Sequence, residues 1–221
     1  MVDKVIDTNM VTVVGKVVSD RKFSHEMYGE GFYWFNLEVP RLSDYSDVLP
    51  ITISERLLVN MDVTQGTNLV VEGQLRSYNR YVNGSNRLVL TVFARDAYSP
   101  VDEEELNELL KKPNEIYLDG YICKKPIYRT TPFGREITDL LVAVNRPYNK
   151  SDYIPCIAWG RNARFCEKLE IGDHIRLWGR IQSREYQKKL NDGEVINKVA
   201  FEVSVSKLEF IKEDNNREGK E

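Results

Sequence analysis
Tyr153–Tyr186 reads YIPCIAWGRNARFCEKLEIGDHIRLWGRIQSREY, and the order of elements it encodes decides the fold. Apolar residues crowd around Trp159 and predict a strand that breaks at Gly160. A short helical run follows. Phe165 and Leu169 stand four residues apart and Ala163 and Cys166 three apart, spacings that bring them near one helix face. Gly172 is expected to end that helix, because glycine takes the left-handed conformation a helix stop favours. In the strand that comes next, Ile175, Leu177 and (past Gly179) Ile181 face one side, and Arg176, Trp178 and Arg180 the other. A glycine inside a strand marks a bulge or the sharp bend of a small barrel. Aromatic side chains set among arginines suit a surface that stacks bases and neutralises phosphates.

The same grammar occurs earlier in the chain. Residues 11–18 (VTVVGKVV), 32–39 (FYWFNLEV), 48–53 (VLPITI), 69–75 (LVVEGQL) and 87–94 (RLVLTVFA) read as strands, and Glu55 to Val63 as a short helix closed by Gly66. Asp20 to Gly31 reads as a polar, turn-rich segment, residues 1–9 as a short arm, and Asn83-Gly84 as a hairpin turn. Ile116 to Ile122 (IYLDGYI) then matches VTVVGKV, Gly120 standing for Gly15, while Gly172 matches Gly66 and Gly179 matches Gly73; the offset is 105 residues early and 106 late. The chain is therefore an all-β protein with short helices, built from two tandem five-stranded OB-fold barrels with a small helix between the third and fourth strands of each. Residues 1–100 form the first domain, 114–211 the second, and 212–221 a short polar tail. Between the domains lies 101–113, a helical linker with acids in its first turn, lysines in its last, a narrow stripe of Leu106, Leu109 and Leu110, and a stop at Pro113.

Composition bounds the function. No run approaches the roughly 18 apolar residues of a membrane span, and the first residues hold no apolar signal core, so a cytoplasmic protein without a membrane partner is expected. Cys123, Cys156 and Cys166 form no CxxC pair, and His25 and His174 are the only histidines, so no metal site and no cofactor is expected. No Ser/His/Asp grouping, P-loop or dinucleotide fingerprint appears, which argues against an enzyme. The net charge of −3 argues by itself against a nucleic-acid partner. Its distribution does not: residues 1–100 carry 10 basic and 12 acidic side chains, 101–113 carry 2 and 5, 114–211 carry 16 and 13, and 212–221 carry 3 and 4. The excess of positive charge lies in the second domain.

Several motifs of that domain resemble those of the bacterial single-stranded DNA-binding protein family. Asn114 to Gly120 looks like the family's opening strand, Thr131-Pro132-Phe133-Gly134 its T-x-x-G loop, and Leu140 to Arg146 (LLVAVNR) its second strand. Ala158-Trp159-Gly160-Arg161 resembles its F/W-G-K/R turn, and Trp178 to Arg184 (WGRIQSR) its E-G-R-L-x-T-R strand, with Trp178 standing where the family has an acid. The resemblance covers residues 114–210 and extends to 9–97 mainly through the internal repeat. It implies sequence-independent binding of single-stranded DNA in replication, recombination or repair, with bases stacked on Tyr148, Tyr153, Trp159 and Tyr186 and phosphates met by Arg146, Arg161, Arg176, Arg180 and Arg184. It further implies four barrels per assembly, which two barrels per chain supply as a homodimer. Family members end in an acidic, apolar-tipped tail that recruits other proteins; this chain ends KEDNNREGKE, so recruitment of replication proteins by such a tip is not expected.

The first domain departs from this pattern. The positions matching the four aromatics fall near Ser43, Val48, Ile53 and Arg80, none of them aromatic. Alternation puts Phe35 and Leu37 inward and Trp34 outward, Tyr78 and Tyr81 lie in a loop, and Arg41 matches Arg146. Either Trp34, Tyr78 and Tyr81, with Arg41, form a rebuilt binding face or this barrel serves assembly. The main contact is expected on the second domain. The alternative for the whole chain is an OB-fold adaptor, primosome-like, that binds protein; an RNA-binding module is a third reading, because nothing in the residues separates DNA from RNA.

Overall fold
Strand β1 (Asn9–Val17) is the hinge of the architecture, because it belongs to one barrel and pairs with the other. In a computed structural model, which describes residues 7–59, 61–82, 85–189 and 195–212, β1 is followed by β2 (Lys22–Met27), β3 (Glu30–Pro40), β4 (Ser46–Ser54), α1 (Glu55–Leu58), β5 (Asn68–Val82) and β6 (Ser85–Tyr98). After α2 (Glu103–Leu109) come β7 (Asn114–Thr130), β8 (Glu136–Arg146), β9 (Lys150–Trp159), α3 (Arg161–Cys166), β10 (His174–Lys189) and β11 (Val195–Phe210). The Asn83-Gly84 turn, residues 1–6 of the expected arm and residues 213–221 of the tail lie outside the described residues.

The first barrel closes through β1–β3, β3–β4, β4–β6 (parallel), β6–β5 and β5–β1. The second closes through β7–β8, β8–β9, β9–β11 (parallel), β11–β10 and β10–β7. Each is filled by the inward row of its strands, Phe35, Leu37, Ile51, Leu69 and Val71 in one and Leu118, Val142, Ile154, Ile175 and Leu177 in the other, all fully buried.

The mid-strand glycines are where neighbouring backbones come too close for a side chain. A Cβ at Gly73 would lie 2.1 Å from the Phe93 carbonyl oxygen, and one at Gly179 2.2 Å from that of Ser204. Both sit at register shifts, between Glu72 and Gly73 and between Trp178 and Gly179. Beyond each shift the strand bends away from its neighbour, and an asparagine side chain bridges the gap. The β1–β5 ladder ends at Val11–Gly73, two positions short of where Asn9 would face Leu75. There the buried Asn9 amide donates to the Leu75 carbonyl at 2.8 Å and accepts from the Leu75 N–H at 2.9 Å. Asn114 makes the same two bonds to Ile181, at 2.7 and 2.9 Å.

The barrels join edge to edge. β1 and β7 run antiparallel with Val11 opposite Ile116. These two residues are each other's counterparts in the repeat, so a local two-fold axis passes through the pair. Two buried carboxylates latch the joint symmetrically about it. Asp47 of the first barrel accepts from the Ser183 N–H at 2.7 Å and its hydroxyl at 2.9 Å, and is gripped by the Arg41 guanidinium at 2.7 and 2.8 Å. Asp152 of the second accepts from the Ser77 N–H at 2.8 Å and from Arg76 at 2.9 Å. Burial pushes the Asp47 carboxyl up, but the hydrogen bonds from Arg41 and Ser183 outweigh it and hold the group below the usual carboxylate range.

Five local expectations are corrected. Tyr78 and Tyr81 lie on β5, which runs on past Leu75, rather than in a loop, and α1 ends at Leu58 rather than at Val63. The segment read as turn-rich contains β2, which pairs with β3 from Lys22–Trp34 to Met27–Glu30; all its residues are exposed, so no burial period marks it. Helix α3 stops at Cys166, and Gly172 (φ +96°) instead serves the turn before β10. Ala163, Cys166 and Leu169 are buried while Phe165 is 45% exposed, since one residue before Cys166 lies 100° around the helix.

Gly179→Ala is expected to lower stability by about 1–3 kcal/mol or more, read as a shifted denaturation midpoint, because backbone rather than a mobile side chain meets the new methyl. Asp47→Asn leaves Arg41 poorly paired and the Ser183 donors weakly satisfied. A loss on the order of 2 kcal/mol is expected at pH 7. Because the folded Asp47 pKa is depressed, its contribution is present above about pH 4 and lost as the pH falls through the folded value. The gap between wild type and Asp47→Asn is therefore expected to narrow steadily as denaturation is carried out at pH values further below 4, and a gap that does not narrow with acidification contradicts this account.

Candidate nucleic-acid interface
The outer face of β9 follows from simple alternation. Ile154, Cys156 and Ala158 enter the core, so Tyr153, Pro155, Ile157 and Trp159 line the opposite side. Tyr153 is 48% exposed. Trp159 is half-buried and fixed in place, its indole N–H donating to the Ser204 hydroxyl at 3.1 Å. Tyr148 stands at the tip of the three-residue β8–β9 turn, almost fully exposed, with left-handed backbone at Tyr148 (φ 63°) and Asn149 (φ 55°). On β10, Tyr186 is 38% exposed and the Arg184 guanidinium lies over its ring at 6.0 Å.

Trp159 lies in a groove with Arg41, Arg135, Arg180 and Arg184, together with Gln182, Ser183 and Ser204, and no acidic side chain lines it. The arginines differ in freedom. Arg41 and Arg180 both reach Asp47, at 2.7 and 3.5 Å, and Arg146 reaches Asp152 at 3.4 Å. These three serve the joint between barrels as well as the surface. Arg184 has a loose contact to Glu202 at 3.6 Å. Arg161, the first residue of α3, is exposed. Arg176 lies apart from the groove: with His174 it holds Asp119, at 2.8 and 2.5 Å, on the β7–β10 face. Burial would raise the Asp119 carboxyl, and the bonds from His174 and Arg176 hold it below the usual range. Trp178 lies on that same face, its ring 5.2 Å from Tyr117 and under Lys207 at 4.4 Å.

Two further observations concern residues the sequence did not single out. Arg135, in the loop after Gly134, lines the Trp159 groove with no ion pair of its own among the described residues; its place beside the T-x-x-G motif is the one signal that points to it. In the first barrel, Trp34 and Tyr78 line one groove with Phe23, Arg80 and Tyr81, and Phe201 of the second barrel borders it. Phe201 has no sequence signal, because it sits in a run that reads only as a closing strand. The register also moves one counterpart. Trp159 lies opposite Ile137 and Ser54 opposite Phe32, so Ser54 rather than the buried Ile53 stands where Trp159 stands. The single-residue insertion falls after Trp159. Burial explains the thiols: Cys156 is pushed well up, and Cys166 to about 12, which leaves both unreactive. No group of three or more potential metal ligands occurs among the described residues.

Comparison with known proteins bears on the family and the fold. The family model described as the single-strand binding protein family matches residues 113–211. Single-stranded DNA-binding protein 2 of Listeria innocua is 30% identical over 113 residues, which cover 48% of this chain and 69% of that protein. The single-stranded DNA binding protein from Thermus aquaticus superposes over 96% of both chains with a TM-score of 0.75 at 18% identity, which shows a shared fold. The N-terminal domain of PriB protein from Thermoanaerobacter tencongensis, solved as a dimer, is 53% identical over 43% of this chain and the whole of its own, with a TM-score of 0.38. A barrel that carries the motifs, the matching family model over that same barrel and a relative matched over two thirds of its length converge: the chain belongs to the single-strand binding protein family.

Proposed function
We propose that the protein binds single-stranded DNA without strong sequence preference, as a cytoplasmic homodimer presenting four barrels, and protects it during replication, recombination or repair. The observation that carries this is the groove around Trp159: a fixed indole among arginines, with no acidic side chain, in a chain that is net acidic. Every base has a π-face, so stacking on Tyr148, Tyr153, Trp159 and Tyr186 holds a strand whatever its sequence, at roughly 1–3 kcal/mol per base. Arg135, Arg161 and Arg184 are the side chains free enough to follow phosphates. Arg41, Arg146 and Arg180 contribute positive potential while tied to the two latch carboxylates, and Arg176 stays with Asp119. The role is binding, with no chemical step.

Titration with oligo-dT, followed by tryptophan fluorescence at two salt concentrations, tests the proposal. Strong quenching and weaker binding at high salt are expected. Trp159→Ala and Tyr186→Ala are each expected to weaken binding by roughly 5- to 150-fold, and Arg135→Ala to reduce the salt slope by about 1. Absence of both quenching and salt-sensitive binding at micromolar protein would sink the proposal; equal or tighter binding of oligo-U would reassign the ligand to RNA.

For the assembly, light scattering is expected to give twice the mass of one chain, independent of DNA. A single-chain mass at micromolar concentration contradicts the four-barrel arrangement.

A further inference from the structure
The loop Thr131-Pro132-Phe133-Gly134, between β7 and β8, holds an aromatic side chain that the barrel does not use. Phe133 is 93% exposed, so its ring adds nothing to the core and stands in water at a cost. The turn that carries it is closed by three hydrogen bonds. The Thr131 N–H donates to the Arg135 carbonyl at 2.8 Å, the Gly134 N–H to the Thr131 carbonyl at 2.8 Å, and the Arg135 N–H to the Thr131 hydroxyl at 3.1 Å. Pro132 restricts φ before the ring, and Gly134 takes φ +75° after it. At the base of the turn, Glu136 joins three elements. Its carboxylate accepts from the Tyr128 hydroxyl at 2.6 Å and from Arg164 of α3 at 2.8 Å, and its carbonyl accepts from the Gly160 N–H, next to Trp159, at 2.9 Å. The tip is therefore held at a fixed place relative to Trp159.

Trp159 lies opposite Ile137, so the two side chains share one face of the sheet. Arg135, two residues before Ile137, continues that row into the Trp159 groove. Two residues of strand advance roughly 7 Å, and Phe133 stands about one such step beyond Arg135. The row thus runs from Tyr148 at the β8–β9 turn, 94% exposed, past Tyr153, Trp159 and Arg135 to Phe133 at the β7–β8 turn, with an exposed ring at each end. Two acids stand near this tip and both are paired: Glu136 with Arg164 at 2.6 Å, and Asp139, which stands where the first barrel has Trp34, with Arg129 at 2.7 Å. The repeat supplies a comparison within the chain. Tyr28-Gly29 is the counterpart of Phe133-Gly134, with Tyr28 fully exposed and Gly29 at φ +76°. There, however, Glu30 stands for Arg135 and Ser54 for Trp159. The two tips present the same kind of ring, but only the second leads to a cation and an indole, the pairing that suits a phosphate and a base.

We infer that Phe133 is a fifth stacking platform of the second barrel, which takes the base next to the one on Trp159 while Arg135 meets the phosphate between them. This deepens the proposed function and rests on it. It lengthens the site of the second barrel by one nucleotide. It also gives the T-x-x-G turn a direct contact with the strand, since Pro132 and Gly134 set the angle at which the ring is offered.

The test uses the full chain, and the exposure of Phe133 means that its variants leave the core intact. In titration with oligo-dT, Phe133→Ala and Phe133→Leu are each expected to weaken binding roughly 5- to 150-fold. Leucine keeps apolar bulk but offers no π-face, whereas Phe133→Tyr keeps the ring and is expected to bind as wild type does. Tyr28→Ala, at the matching tip of the first barrel, is also expected to bind as wild type does. Wild-type affinity in Phe133→Ala or Phe133→Leu, in a series where Trp159→Ala weakens binding, overturns the inference. Weak binding by Phe133→Tyr overturns it too, and so does an equal loss in Tyr28→Ala, which would mark a general effect of removing an exposed ring. If wild type binds no oligo-dT at all, it is the proposed function that fails, and the inference with it.

Discussion
The pairing of β1 with β7 is the constraint from which the rest follows. Val11 opposite Ile116 turns two barrels into one continuous sheet, so their outer faces cannot rotate independently. A joint made of one strand pair could still shear along its ladder. The latches on Asp47 and Asp152 prevent this, because each carboxylate accepts from a serine N–H in the other barrel, across the junction. A buried carboxylate is costly unless fully bonded. Each latch therefore holds only at one register, and slippage by a residue would strand a charge in the interior.

That constraint gives several arginines a double duty. Arg41 and Arg180 converge on Asp47, and Arg76 and Arg146 on Asp152. A positive surface and a rigid joint draw on the same side chains, so the face proposed to meet DNA is set by the geometry that holds the barrels together. The arginines tied to a carboxylate supply field, whereas Arg135 and Arg161 supply reach.

The parts that shape the backbone repeat faithfully. Gly73 and Gly179, and Asn9 and Asn114, make the same contacts at the same places, and Asp47 and Asp152 each accept from the matching serine N–H of the other barrel. The outer faces vary, because an outward side chain on a barrel strand answers to few neighbours. Trp34 can replace an acid on β3 without disturbing Phe35 beneath it, since the two point to opposite sides of the sheet. One fold thus carries two differently drawn surfaces.

From residues alone, the strands, the repeat and the bends were legible, because glycine within an apolar run and alternation of period two are local consequences of steric and burial rules. The outward-facing row of β9, Tyr153 to Trp159, was legible for the same reason. β2 was hidden, since an edge strand exposed on both faces has no burial period to read. Phe165 was misassigned because a short helix offers too few turns to fix its buried face. The ties of Arg41, Arg146, Arg176 and Arg180 to aspartates, and the place of Phe201 at the border of the first-barrel groove, could not be read from spacing. Arg180 and Asp47 lie 133 positions apart and Arg176 and Asp119 57 apart, and the six-residue separations of Arg41 from Asp47 and of Arg146 from Asp152 become ion pairs only because each hairpin folds its two strands together. Sequence by itself determined two OB barrels and an aromatic, basic face on the second. Only the tertiary structure decided how the barrels lock and which arginines remain free, because each of these depends on where the β1–β7 pairing brings distant side chains together.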